Sequence, residues 1–526
     1  MVTAVTMEPV GECRGRSAAT HLTAFTHLLC CRRIPGGDRS AGITDLHRRT
    51  PLRAPPKRRQ TATGATGAQL SERAEHTSDL LVIEGGTVLD GSGAPPVPGE
   101  VICRGDEIIA VGSGSATAGP EGSAAFHERE LDSATRVDAT GCTVMPGLID
   151  AHCHLTFDEP RSNDELFFHR DHTLAALATA HHLPKLLMAG VTSVADPDTI
   201  FRMGPAIRDA VEAGWIEGPR ITTGVAALLT AVGGTAGRLI PDEGEVGYAE
   251  VVRTTDEMVL ATRRQIKEGA DFVKIHATGS IPTRSGELQV WTRQEMRVVC
   301  DTAHDLGVPV AAHCRNASST RDAALAGVDI IYHASFMDEE ALEAVVESGA
   351  DLCPVFTFLS NLCDHGAEVG AGTNMVDVFR GEIAATAEMV RRAHDAGVRL
   401  LCGSESGFVL TPYGHWHARE VELFVEHLDL SPLEAIRCAT ANNAHAVHAA
   451  DELGVLSVGR RADVLVVQGD VASDVSLLGD RRNLRAVLSR GVPVDLQRAW
   501  PTRDPLPGSR VGNWAERPLT WDLVNP

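Results

Sequence analysis

Between residues 144 and 445 the chain repeats one pattern: a short apolar run, a loop, a helical stretch and a glycine. The apolar runs span 144–155, 191–196, 220–224, 271–276, 308–313, 328–333, 351–355 and 398–405. Ser/Thr-x-x-Glu boxes open several of the helical stretches, with Thr254 before Glu257, Thr292 before Glu295 and Ser431 before Glu434. Such a box satisfies two free backbone donors at a helix start. Glycines 190, 269, 327, 349 and 397 stand where helices close, the residue type suited to a left-handed cap. Strands alternating with helices imply an α/β fold with a parallel sheet. Eight such units predict a (β/α)8 TIM-type barrel over 144–445, whose chemistry sits at the C-terminal strand ends.

The flanks read differently. Residues 80–89 and 100–111 are short β-type runs joined by Gly turns, and 462–467 and 484–489 repeat that character near the other end. Residues 79–143 and 446–500 are therefore expected to form one small β-sandwich from both terminal segments, leaving 501–526 as a C-terminal tail. Residues 1–76 hold 12 Lys/Arg against 6 Asp/Glu and no apolar period. Residues 1–78 read as a disordered extension or a misassigned translation start, and their Arg, Ser and Thr content also suits a targeting peptide.

The net charge of −22 argues against a nucleic-acid partner. No stretch approaches the roughly 18 apolar residues of a membrane helix. Twelve scattered cysteines without a Cys-x-x-Cys pair suggest reduced thiols and a cytoplasmic protein. Aromatic residues make up only 4%, so a pocket is expected to have aliphatic and polar walls.

Five polar residues close the apolar runs and a sixth lies within one. His152 and His154 end the run Pro146-Gly-Leu-Ile-Asp-Ala-His-Cys-His. Positions i and i+2 of a strand share a face, so both imidazoles can reach one ion. Lys274 lies inside an apolar run, where an ammonium is costly unless paired or neutralised. His313, His333 and Glu405 end three more runs. Singly, each has an ordinary structural explanation; together, at one end of a barrel, they form a candidate metal site. Neutral imidazoles suit Zn²⁺. A carboxylate can bind metal or act as general base, which makes Glu405 the candidate catalytic residue. Carbamylation by CO2 would turn Lys274 into an anionic bridge between two ions roughly 3.5–4 Å apart. One ion, or another divalent metal, also suits this donor set. Weaker candidates for substrate contact are His276, two residues after Lys274, Arg315 beside His313, and Tyr413 and His415 after the last run.

These residues resemble the amidohydrolase superfamily. The resemblance rests on residues 146–154, Gly190-Val-Thr-Ser, Gly269-Ala-Asp-Phe-Val-Lys-Ile, Ala312-His313, Tyr332-His333, Gly403-Ser-Glu-Ser-Gly and the segment 454–467. It covers about 79–494. It implies a distorted barrel with a composite sandwich, and a metal-dependent hydrolase in which metal-bound hydroxide attacks a C–N bond of an amide, urea or carbamate. Lys274 points to the imidazolonepropionase-like branch with a carboxylated lysine, which includes Xaa-Pro dipeptidases and phenylurea and thiocarbamate hydrolases. By carry-over, His152 and His154 would bind one Zn²⁺, His313 and His333 a second, and Lys274 both. Two positions depart from the family pattern: Glu405 replaces the usual Asp, and Thr235 stands where a substrate-contacting His is common. The resemblance leaves open a dipeptidase of the same branch and a mononuclear deaminase or cyclic-amidine hydrolase. A non-enzymatic scaffold is the reading from outside the enzymes. A small-molecule substrate and a homo-oligomer are expected.

Overall fold

The computed structural model describes residues 80–112, 132–168, 170–234, 239–242, 247–283, 285–502 and 515–525. The expected extension 1–78 lies outside them.

The first β-type runs form β1 (Leu80–Val88), β2 (Val97–Arg104) and β3 (Glu107–Gly112), followed by β4 (Thr135–Asp138) and β5 (Cys142–Pro146). Their partners come from the other end of the chain: β17 (Val464–Gln468), β18 (Leu484–Ser489) and β19 (Val492–Pro493). Among the described residues these eight strands make one sheet in the order β19-β18-β17-β5-β1-β2-β3, with β4 beside β1. The central seam is antiparallel, Val464 opposite Pro146 and Val466 opposite Val144. Ile83, Val101, Ile108, Val144, Val464 and Val466 are all fully buried on this sheet. Each such aliphatic side chain contributes about 1.5–3 kcal/mol of burial, which holds together segments more than 300 residues apart.

The middle of the chain is α/β. Strands β6 (Leu148–Asp150), β7 (Val191–Asp196) and β8 (Arg220–Thr223) pair in parallel. A second sheet runs β10-β9-β11-β14-β15-β16, formed by Ala249–Val251, Ala227–Leu229, Val273–His276, Val310–Cys314, Ile330–His333 and Asp351–Cys353, also parallel throughout. Single backbone bonds continue between these ladders. Asp271 N donates to Thr223 O (2.8 Å), Leu401 N to Leu352 O (2.8 Å) and Ala151 N to Cys402 O (2.9 Å). Helices connect the strands, and the local signals act as read. Thr292 and Ser431 form full capping boxes. Thr254 caps through Glu257 N alone, because the Glu257 carboxylate turns to Arg253. Gly269, Gly327 and Gly349 close their helices in the left-handed region.

Four features differ from the sequence reading. The run 144–155 is not one strand: it breaks at Gly147, whose N–H donates to Asp463 O (2.9 Å). One apolar run thus serves both the composite sheet, as β5, and the parallel sheet, as β6. The run 398–405 forms only an isolated bridge, Leu400 to Leu352. Asn443 takes over ladder duty there: Cys402 N donates to its Oδ1, and its Nδ2 donates to Cys402 O and Ile149 O. Residues 278–289 form a hairpin, β12 (Thr278–Thr283) with β13 (Gly286–Gln289), inserted after β11. The C-terminal segment packs rather than trails: Leu519 is fully buried and its carbonyl accepts from Trp416 Nε1 at 2.6 Å. No helix among the described residues is long and apolar enough to cross a membrane.

Candidate metal centre

Parallel pairing brings the C-terminal strand ends to one edge, and register aligns their side chains. His276 stands opposite His313, His313 opposite Tyr332, and Cys314 opposite His333. The imidazoles of His276 and His313 stack at 5.0 Å and those of His313 and His333 meet edge-on at 4.5 Å. His152 and His154, just past β6, face each other with their Nε2 atoms 3.2 Å apart. The segment around Glu405 closes against them. A Cβ at Gly403 would meet His152 Cβ at 2.6 Å, and one at Gly407 would meet His154 O at 2.4 Å. Only glycine permits that approach, which explains the glycines flanking Glu405. Glu405 itself has φ 53° and His333 φ 67°, a sparsely populated conformation that concentrates at functional sites.

These ends form the floor of a cavity of about 600 Å³. His152, His154, Lys274, His276, His313, Arg315 and Glu405 line it. His333 lies beside it, lining a small pocket with Arg315 and Glu405. Tyr413 and His415 are not brought to the cavity. The Tyr413 hydroxyl lies behind the site and donates to His154 O at 2.6 Å, while His415 lines a separate cavity with Lys185 and Trp500. Thr235 lies outside the described residues. The rest of the lining includes an apolar wall, and it corrects the expectation drawn from composition: Phe157, Tyr248, Phe358 and Phe408 line it with Leu166 and Ile281, Phe157 stacking on His154 at 4.2 Å. Aromatic residues are scarce in the chain but gathered here.

Three carboxylates around the floor were not singled out from the sequence. Asp198 lies past β7 in Asp196-Pro-Asp. Its Oδ1 is 2.8 Å from His154 Nδ1 and its Oδ2 is 2.9 Å from His276 Nε2. Glu287, carried in by the β12–β13 hairpin, contacts His313 Nε2 at 3.0 Å. Glu382 accepts from Arg315 Nε (3.0 Å) and Nη2 (2.7 Å). The strand-end rule that selected the histidines would also have selected Asp198; Glu287 and Glu382 give no such signal.

Burial governs the charges. It pushes His152 and His333 well below the ordinary imidazole range, with Lys274 and His313 adding repulsion, and takes His276 to about 4. These imidazoles are therefore neutral, the form that binds metal. Burial also lowers the Lys274 ammonium to about 8, against the pull of Asp198 and Glu405; its Nζ sits 3.9 Å from the Tyr332 ring centroid. Burial raises the Glu405 carboxyl. It opposes ionisation of Asp198 too, but His154 and the hydrogen bonds from His154 and His276 hold that carboxyl well below its usual range.

The donor set fits a divalent ion. At a metal–nitrogen distance of about 2.0–2.1 Å, two nitrogens on one tetrahedral ion lie roughly 3.3 Å apart, close to the observed separation of the facing Nε2 atoms. Glu405 offers an oxygen in the same group, with all ligand atoms within 4.8 Å of one another. His333 Nε2 is buried without a hydrogen-bond partner among the described residues, which is costly unless another group takes its lone pair.

Comparison with known proteins agrees with this chemistry. The amidohydrolase family pattern matches residues 143–494. The ochratoxinase of Aspergillus niger is 25% identical over 474 residues, covering 85% of this chain and 90% of that protein. Among solved structures, a Xaa-Pro dipeptidase with methionine in its active site superposes with a TM-score of 0.66 at 25% identity, over 79% of this chain and 99% of that one. A molinate hydrolase superposes at 0.66 and 22% identity, over 83% and 100%, a likeness of fold. The chain belongs to the amidohydrolase family and is a metal-dependent hydrolase of C–N bonds.

Proposed function

We propose that this amidohydrolase cleaves an amide, urea or carbamate bearing a bulky apolar group, at a two-metal site on the rim of a (β/α)8 barrel. Residues 144–445 would form that barrel, and 79–143 with 446–500 the composite sandwich. The observation that carries the reading is the cavity itself: imidazoles, Lys274 and Glu405 on the floor, aromatic and aliphatic side chains on the wall.

His152 and His154 would hold one ion and His313 and His333 the other, with carbamylated Lys274 and Glu405 as further ligands. Burial, which lowers the Lys274 ammonium to about 8, favours the free amine. That amine adds CO2 and releases a proton, leaving a carboxylate. When bound, divalent ions supply an acidified water and polarise the scissile carbonyl oxygen. Zn²⁺ suits the imidazoles best. Glu405 accepts a proton at its carboxylate and returns it to the leaving nitrogen. Asp198 holds His154 through Nδ1 and Glu287 holds His313 through Nε2, the carboxylate–histidine arrangement that orients metal ligands. The apolar wall excludes water and binds the substituent of the substrate.

The Xaa-Pro dipeptidase likeness supports a second reading, a dipeptidase. Arg315, the cation that would meet a substrate carboxylate, is already engaged by Glu382 at two positions, which favours an uncharged substrate. The test is a screen of metal-loaded enzyme against phenylureas, thiocarbamates, N-acyl amino acids and dipeptides, with metal per chain from elemental analysis. Turnover of neutral amides or ureas with two ions per chain is expected. Turnover confined to dipeptides would select the second reading, and one ion per chain with release of ammonia a deaminase.

A further inference from the structure

A second histidine–carboxylate group lies directly behind the floor and is used by none of the steps above. Asp150, the last residue of β6, is buried with Ser404 and His417. Its Oδ1 accepts from His152 N (3.0 Å) and from Ser404 N (3.1 Å). One oxygen thus ties together the strand end that bears His152 and the one that bears Glu405. Its Oδ2 accepts from Ser404 Oγ and from His417 Nδ1 at 2.6 Å. His417 Nε2 in turn accepts from Gly414 N at 3.0 Å. A backbone N–H can only donate, so the imidazole proton sits on Nδ1 and is given to Asp150.

Asp150, Cys153 and His417 bring ligand atoms within 4.8 Å of one another. Here, however, both carboxylate oxygens and both ring nitrogens already have partners, and burial pushes the Cys153 thiol far up. The group is a closed hydrogen-bond network. The same loop reaches the strand end again through Tyr413, whose hydroxyl donates to His154 O and accepts from Asp158 N at 3.1 Å. Neither Tyr413 nor His417 lines the cavity.

We infer that His417 is a positioning residue: through Asp150 it fixes the separation between the backbone of His152 and that of Glu405, and so sets the geometry of the metal floor. The inference rests on the reading of that floor as the hydrolytic centre. Ser404 immediately precedes Glu405, and the Glu405 N–H donates to His152 O at 2.8 Å. Loss of the His417 donor leaves Asp150 Oδ2 short of a buried partner and loosens both strand ends together.

The test compares His417→Ala with His417→Asn in the full chain. Both leave Gly414 N without its acceptor, but the Asn amide can replace the Nδ1–H donor. For His417→Ala the expected result is about a 10–100-fold weaker affinity for Zn²⁺ in chelator competition, a kcat loss of similar size and a KM within about twofold. Amide exchange should quicken in 150–154 and 402–406, with Gly414 quickened in either variant by loss of its acceptor, and remain unchanged elsewhere. His417→Asn should recover most of each. Wild-type affinity and exchange in His417→Ala would overturn the inference, as would Asn behaving no better than Ala. If His417→Ala does not fold, Ser404→Ala removes the neighbouring donor to the same oxygen; it should shift exchange the same way, and unchanged exchange counts against the brace. A wild-type enzyme that neither binds metal nor hydrolyses any substrate would defeat the functional reading alone, because the exchange measurement decides the brace without it.

Discussion

Two histidine–carboxylate groups sit within a few residues of each other, and they are finished differently. In Asp150–Ser404–His417 every side-chain donor meets an acceptor. In His152–His154–Glu405 two imidazole nitrogens face each other and Glu405 adopts a left-handed backbone. Both groups draw on the same two strand ends, and His417 joins the first of them from the loop behind. The difference teaches that the chemistry lies where hydrogen bonding is left incomplete, and that the complete neighbour holds the incomplete one in shape.

The largest break in this contrast should come from Lys274→Ala. Losing the proposed bridge would remove several kcal/mol of transition-state stabilisation, about 10³-fold in kcat/KM at tenfold per 1.36 kcal/mol, and metal per chain should fall. Full activity with normal metal content would end the bridging role. Glu405→Gln comes next: kcat should drop about 10²–10⁴-fold with the imidazole ligands intact, and steady-state kinetics that show only a raised KM would remove it as the proton acceptor. Asp198→Asn weakens the hold on His154, so Zn²⁺ affinity should fall about 10–100-fold, measured by chelator competition; unchanged affinity would mean that His154 is oriented by packing. The smallest effect is expected from Ile83→Val, on the composite sheet. It should cost about 0.5–1.5 kcal/mol in denaturant unfolding and leave metal affinity untouched. A change in affinity there would show that the completed and incomplete parts of the molecule are not separable.

Much of the floor was legible in the sequence because parallel strands deliver their last residues to one edge. That rule pointed to His152, His154, His313, His333 and Glu405 without any contact being known, and Lys274 stood out as a charge within an apolar run. It failed where a residue reaches the site from outside a strand. Glu287 arrives on a hairpin whose direction depends on packing, and Glu382 on a helix from a distant part of the chain. Tyr413 and His417 follow Glu405 closely, yet their loop folds behind the strand ends, so proximity in sequence misled about Tyr413 and His415. The aromatic wall was hidden by averaging: four aromatic side chains spaced along the chain meet at one cavity. The break at Gly147 was illegible for a related reason, since an apolar run carries no mark of which of two sheets each half will join.

That break has a consequence for how the molecule is made. The segment running into His152 has β5 on one side of Gly147, and the antiparallel partner of β5 is β17, at Val464–Gln468. Every proposed metal ligand leaves the ribosome before β17 does. The nascent chain therefore holds all of its ligands while β5 has one sheet neighbour, β1, and still lacks the other, so the composite sheet closes only after the last ligand has been made.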